Sequence, residues 1–314
     1  MRLCAVSVDL DEIPNYFAIH GVPPIAGAGL TAVYDIALPR LLTLAEDEHV
    51  PLTLFAIGSD LERDVNAAAL ARAHADGHEI GNHTLDHRYD LVKLGRAEIA
   101  HQIEGGMRAI ASATGEVPVG FRAPGYTITD EVFDVLADIG GIQYDSSVFP
   151  CPPYWAAKAA TLGFYRAKGR ESRSLVDTPN VLRAPIRPYF VGRPYWKRGP
   201  SSRSDGSGTT MLELPVQVTP KLRLPFIGTT LTLAGPTGAR RLAEMCVGEP
   251  LVNLELHGID VLDERDGLET LASHQHDVRV VRERKLAALR AVIEVLKSAG
   301  YTFTTLRSAA TQLV

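Results

Sequence analysis

Cysteine is scarce in this 314-residue chain: Cys4, Cys151 and Cys246 stand far apart, and no C-x-x-C occurs. Three scattered thiols exclude a disulfide framework and a cysteine-built metal site, and they fit a reducing compartment. Long apolar runs are also lacking, so no segment is expected to cross a bilayer. Met1-Arg2 leads directly into Leu3-Cys4-Ala5-Val6-Ser7-Val8, which reads as a buried strand without the apolar core of an export signal. A cytoplasmic protein is expected. Positive charge is not in excess: the net charge of −5 argues against a nucleic-acid binder. There is no internal repeat of fixed period and no long low-complexity tract.

What is present is a rhythm of short apolar strands and amphipathic helices. Strands are expected at Leu3 to Val8, Leu52 to Ile57, His78 to Gly81, Val119 to Phe121, Ile142 to Tyr144, Leu251 to Leu256 and Tyr301 to Thr304. Helices are expected at about Tyr34 to Glu48, Val65 to Ala75, Leu94 to Ala113, Asp130 to Ile139, Thr237 to Met245 and Val278 to Ser298. Thr129 stands in an N-cap position, and Gly77, Gly115 and Gly300 stand where helices should stop. Such alternation predicts a parallel sheet covered by helices. Ile13 to Gly29 reads as a loop at a strand tip, either a site wall or a surface connection.

Residues 150–210 interrupt the rhythm with Pro, Gly, Ser and aromatics. Between Lys158 and Arg203 there are 11 Lys/Arg against 2 Asp/Glu, a local +9 that leaves −14 for the rest. A basic, aromatic segment on an acidic body suits a phosphate, a nucleotide-sugar or a charged lipid head; a solvated loop is the plainer reading. Trp155, Tyr189, Tyr195 and Trp196 could form a sugar-stacking rim or pack in the core.

The polar residues of interest all follow strands. Asp9 and Asp11, two apart on extended backbone, point the same way, and two close carboxylates call for a cation beside them. Glu12 is a substitute candidate. His83 and His87 stand four apart; if the chain turns helical there, both imidazoles share a face. Two imidazoles begin a zinc site, which needs a third ligand and an open position. Arg122, Asp145 and His257 follow the fourth, fifth and penultimate strands. In a βα-barrel all these ends share one rim.

These residues resemble the polysaccharide deacetylase (NodB-homology) family from Val6 to about Thr305, most weakly over 150–240. Asp9-Leu10-Asp11 is similar to the family's paired-aspartate motif, in D-x-D form. His83-Thr84-Leu85-Asp86-His87 matches its H-[ST]-x-x-H motif, the most specific of the set. Arg122-Ala123-Pro124 matches R-x-P, with Gly125 where many members have Tyr and Tyr126 one place later. Leu254-Glu255-Leu256-His257 matches L-x-x-H. Tyr144-Asp145-Ser146-Ser147 resembles the remaining motif in a form without its Trp, which leaves the role of Asp145 open.

The resemblance implies an α/β fold: a distorted (β/α) barrel in one domain over 1–314, with the insertion at about 150–210 irregular. It implies one divalent metal held by Asp11, His83 and His87, zinc first, with cobalt, nickel, manganese and iron as alternatives. Asp9 would be the general base, Arg122 its partner, and His257 the acid that protonates the leaving amine. Gly125 or Tyr126 would offer an oxyanion N–H, and Asp145 or Asp260 would assist His257. The expected substrate is a small or lipid-linked amino sugar losing an acetyl or formyl group, with no nucleic acid involved. Residues 158–203 would touch the inner face of the membrane. A deacylase of a non-sugar amide and a non-catalytic glycan binder are the competing classes.

Overall fold

The computed structural model describes residues 2–25, 27, 29–201 and 211–313. Its strands are β1 (Leu3–Asp9), β2 (Leu52–Ala56), β3 (Glu79–Asn82), β4 (Gly120–Phe121), β5 (Tyr144–Asp145), β6 (Tyr189–Phe190), β7 (Leu212–Glu213), β8 (Leu251–His257) and β9 (Thr302–Thr304). Its α-helices are α1 (Ile13–Ile19), α2 (Leu38–Asp47), α3 (Asp64–Ala75), α4 (Arg96–Thr114), α5 (Asp130–Ile139), α6 (Pro152–Ala167), α7 (Gly228–Cys246), α8 (Arg282–Ser298) and α9 (Leu306–Leu313).

The strands follow the order β6-β7-β5-β4-β3-β2-β1-β8. Every neighbouring pair is parallel except β6 with β7. β9 pairs Leu3 to Ala5 of β1, and β2 takes over from Val6. The sheet curls until the chain beyond β7 meets β8. There the Gln217 N–H donates to the Asn253 carbonyl at 3.2 Å, and Asn253 Nδ2 donates to the Leu214 and Pro215 carbonyls. The result is the parallel, helix-covered sheet expected from the strand–helix rhythm, curled into the distorted (β/α) barrel that the resemblance implies.

All seven residues of β1 are buried, so no polar–apolar alternation is seen along it. That is the pattern of a parallel strand covered on both faces. Outside the sheet, Leu289, Val292, Ile293 and Leu296 of α8 join Val6, Val8, Leu254 and Leu256 in one apolar cluster. Each such side chain contributes about 1.5–3 kcal/mol by leaving water. The α5 boundaries are as expected, with Thr129 Oγ1 accepting from the Val132 N–H and Gly140 at φ 71° closing the helix.

Three expectations need amending. Ile13 to Gly29 is not all loop: it opens with α1, which buries Ile13, Tyr16 and Phe17. The helix expected from Thr237 to Met245 is present, but a further helical stretch from Gly228 precedes it across a break at Gly235, which has φ 67° and ψ 179°. The insertion is not wholly irregular, because α6 occupies sixteen of its residues. Residues 202–210, at its end, lie outside the described residues.

Candidate active site

β1 and β8 lie in register, with Asp9 opposite His257 and Ser7 opposite Glu255. The C-terminal ends of β1, β3, β4 and β8 therefore deliver Asp9, His83, Arg122 and His257 to one rim. Asp11 follows two residues beyond β1.

Asp11, His83 and His87 form a buried cluster whose candidate ligand atoms lie within 4.8 Å of one another. His83 Nε2 is 3.3 Å from Asp11 Oδ1, and His87 Nε2 is 3.1 Å from Asp11 Oδ2. The far ring nitrogens are committed outward. His83 Nδ1 lies 2.7 Å from the Arg122 carbonyl, and His87 Nδ1 lies 3.3 Å from Asn15 Oδ1. Both partners are acceptors, so each Nδ1 carries the proton and each Nε2 turns a lone pair inward. Asp11 Oδ1 and His87 Nε2 have no hydrogen-bond partner among the described residues. Burial pulls the His87 pKa down and favours its neutral form. Burial also opposes ionisation of Asp11; a proton on His87 or His83 would hold it well below the usual carboxylate range, and Asp9 and Asp11 in turn raise the His83 pKa, so the cluster calls for a cation at its centre. Two inward lone pairs and a buried carboxylate oxygen without a donor fit a divalent metal, with two nitrogens and one oxygen as ligands.

The backbone between the two histidines is not helical, contrary to the i, i+4 expectation. Thr84 and His87 have φ of 70° and 50°, a region that a β-branched threonine enters only when held there. Several bonds hold it. The Thr84 N–H donates to Asn82 Oδ1, and the His87 N–H donates to Thr84 Oγ1. The Leu85 and Asp86 N–H groups donate to the Gln102 carbonyl and Gln102 Oε1 of α4. The loop can reach α4 because Gly106 has no side chain. A Cβ there would stand 2.2 Å from Asn82 Oδ1 and 2.9 Å from the Thr84 carbonyl.

The second cluster is Asp9, Arg122, Glu255 and His257. The fully buried Arg122 donates to Asp9 Oδ1 (2.6 Å), Ser7 Oγ, Ser146 Oγ and the Ser146 carbonyl, and lies 4.2 Å over the Phe55 ring. Asp9 Oδ2 is left facing His83 Nε2 at 3.7 Å and His257 Nε2 at 4.0 Å. His257 Nδ1 is 2.9 Å from Glu255 Oε1. Burial disfavours the imidazolium of His257, yet Glu255, then Asp9 and Asp11, raise its pKa well above the ordinary value.

Glu255 is the residue that sequence reasoning missed. Asp260 holds His257 by the backbone instead, accepting from its N–H at 2.8 Å and from Thr229 Oγ1. Asp145 is also reassigned: it accepts from the Ser147 N–H and hydroxyl, and Ser147 Oγ accepts from the Ala123 N–H. It braces the Arg122 loop and does not line the cavity. Glu12 is not a ligand either, since it accepts from the Ile13, Val33 and Tyr34 N–H groups.

A cavity of about 330 Å³ opens beside these groups, with Asp11, His257, Gly125 and Tyr126 on one side and Tyr154, Lys158 and Tyr165 of α6 on the other. The insertion therefore supplies a wall of the site. Trp155, Tyr189 and Tyr195 are buried in the apolar cluster, not on an open rim. The aromatics at the cavity are Tyr16, Tyr89, Tyr126, Tyr154 and Tyr165. His20, without an expected partner, lies 2.7 Å from the Tyr165 hydroxyl and 2.8 Å from Gln275 Oε1, tying α6 to the barrel.

Comparison with known proteins sets this geometry in context. The family model described as Polysaccharide deacetylase matches residues 33–143. A chitooligosaccharide deacetylase of Sinorhizobium fredii is 32% identical over 136 residues, 40% of this chain and 62% of that protein. A peptidoglycan deacetylase of Helicobacter pylori is 27% identical over 149 residues, 46% of this chain and 49% of that protein. The matched regions thus span about three-fifths and about half of these relatives' lengths. Among solved structures, a probable polysaccharide deacetylase from Pseudomonas aeruginosa superposes with a TM-score of 0.60 at 16% identity, over 98% of this chain and 89% of that one. That likeness is one of fold.

Proposed function

We propose, on the premise that the chain is a member of the polysaccharide deacetylase family through residues 33–143, that it hydrolyses an N-acyl group from an amino sugar. The observation that carries the reading is the convergence of two clusters on one cavity: Asp11 with His83 and His87, and Asp9–Arg122 with His257–Glu255. A divalent metal held by Asp11, His83 and His87 would acidify a water and polarise the acyl carbonyl.

The remaining roles belong to the chain itself. Asp9 Oδ1 is committed to Arg122, so Oδ2 takes the proton as the water oxygen bonds to the acyl carbon. Arg122 keeps Asp9 ionised and fixes which oxygen is free. The Tyr126 N–H already donates to the Ala123 carbonyl, which leaves Gly125 to offer the oxyanion donor. As the C–N bond breaks, its electron pair goes to nitrogen, and His257 Nε2 delivers a proton there. Glu255 holds the imidazolium for that step. The products are the free amine and the acid; Asp9 then gives up its proton and His257 takes one back, so both groups return to their starting states.

Acetyl and formyl differ by one methyl, worth about 1–3 kcal/mol of discrimination, so deformylation belongs to the same proposal. A cytoplasmic setting is supported by three buried free cysteines. No helix among the described residues is long and apolar enough to cross a membrane. The second reading, a non-sugar small-molecule amide, is favoured by the tyrosine lining of a cavity of about 330 Å³, a volume that fits one small compound. The test is amine release from N-acetyl and N-formyl sugars, free, nucleotide-linked and polyprenyl-phosphate-linked, with metal, with chelator and with His83→Ala. Metal-dependent release lost in the variant is the expected result. No release from any compound, with metal still bound, would overturn the sugar deacylase reading.

A further inference from the structure

The cavity wall also holds polar groups that the proposed hydrolysis does not use. Tyr16, Tyr89 and Tyr126 are buried at the cavity, and their hydroxyls have no hydrogen-bond partner among the described residues. Each hydroxyl can both donate and accept. Lys158 of α6 brings a cation to the same wall. Its Nζ donates to the Gly125 carbonyl at 3.1 Å and lies 4.9 Å from the Trp155 ring and 5.6 Å from the Tyr154 ring. A Cβ built on Gly125 would stand 2.9 Å from the Tyr89 ring and 3.5 Å from Lys158 Nζ, so lysine and tyrosine crowd one spot.

Among the described residues no carboxylate comes within 4.0 Å of this amine. Asp177 acts on it only from a distance, and burial draws its pKa down to about 7. A partly buried amine with a carbonyl and two aromatic faces beside it, but no carboxylate within 4.0 Å, gains a partner from an arriving anion, which also favours its charged form. Among the described residues, the other cations of 158–201 do not line the cavity; Arg166, Lys168, Arg170 and Arg173 of the same stretch are exposed.

We propose that this wall recognises an oxyanion carried by the substrate, a carboxylate or a phosphate ester, with Lys158 Nζ and the Tyr89 hydroxyl as donors. The inference rests on the deacylase reading and narrows its substrate class to small N-acyl compounds that carry a negative charge. A cavity of about 330 Å³ stands at the small end of ligand pockets, roughly 300–1,000 Å³. It suits a compound of about one ring better than a polymer.

Three probes of one ring size test it: N-acetylglucosamine, its 6-phosphate, and N-acetylmuramate for the carboxylate. Binding is read by calorimetry on the zinc-loaded full chain carrying Asp9→Asn, which slows turnover. At least one charged compound is expected to bind at least 10-fold tighter than the neutral one, and the stronger of the two names the anion. Lys158→Met should remove that advantage, Lys158→Arg should keep most of it, and Tyr89→Phe should lower it several-fold. If Lys158→Met does not fold, the other two variants carry the test, because Tyr89→Phe deletes a buried hydroxyl that has no partner to lose. Equal affinity for charged and neutral probes, or no binding of either charged probe, would overturn the inference. So would an advantage that survives Lys158→Met, since the anion would then be held at the metal ligands. The deacylase reading is judged separately, by amine release in the parent chain. Release from the neutral sugar at the same efficiency as from the charged ones would leave that reading standing and remove this one.

Discussion

Asp9, Glu255 and His257 are placed by the register of two long parallel strands, whereas His83 and His87 are placed by a loop with two residues at positive φ. The acid–base groups thus stand on the most regular part of the barrel. The candidate metal ligands stand on one of its most irregular parts, held in place by α4. A proton must cross only a few ångströms, and strand register fixes such distances with little freedom. Three ligand atoms must instead converge on a point, and here a strained turn brings two histidines four residues apart towards Asp11.

The comparison can be broken from either side. The largest effect is expected for His83→Ala, which should abolish stoichiometric divalent-metal binding and reduce amine release to background. Metal content after desalting and an amine assay check both. Next, Asp9→Asn should lower the rate by about 10²–10⁴-fold while the metal stays bound. Full activity in that variant would remove Asp9 as base. Gly106→Ala strikes the support of the loop without touching a ligand. Metal affinity should fall by about 10–100-fold in a chelator competition, with Asp9 and His257 undisturbed.

The smallest effect, and the most diagnostic, is expected for Glu255→Gln. His257 must be protonated to act as the acid, and its pKa in the folded chain is raised. Activity should therefore persist through neutral pH and fall as pH rises through that raised value. Without the Glu255 charge the pKa drops, so the alkaline limb of the rate profile should move to lower pH while activity at acidic pH is kept. An alkaline limb that does not move would assign Glu255 to packing alone.

Much of the site was legible because the residues that matter follow strands, and strands were readable as short apolar runs. Asp9, Asp11, His83, His87, Arg122 and His257 converge as the barrel topology requires. Glu255 is not legible as a site residue when Leu251 to Leu256 is taken only as an apolar strand leading to His257. The signal was a carboxylate two residues before a histidine in a buried strand, hence on the same face. Helix α6 was hidden by averaging over 150–210. Pro152-Pro153 followed by Ala156-Ala157 and Ala159-Ala160 is a helix start by local rules. Helix α1 was hidden by the Gly and Pro residues that follow it, and with it went Asn15 and Tyr16. The geometry of 83–87 was not readable, because H-x-x-x-H is silent on backbone handedness and the decisive contact, Gly106, lies on another helix.

Arg122 stands between the two clusters in a way that separates its side chain from its main chain. Its guanidinium clamps Asp9, and its carbonyl anchors His83. Any substitution at 122 keeps the second bond and loses the first. A shift of the peptide plane at 122 would do the opposite, tilting a ligand ring while the guanidinium stays pinned to Asp9, Ser7 and Ser146. One residue thus offers two independent handles, chemical and mechanical, for detuning the same centre.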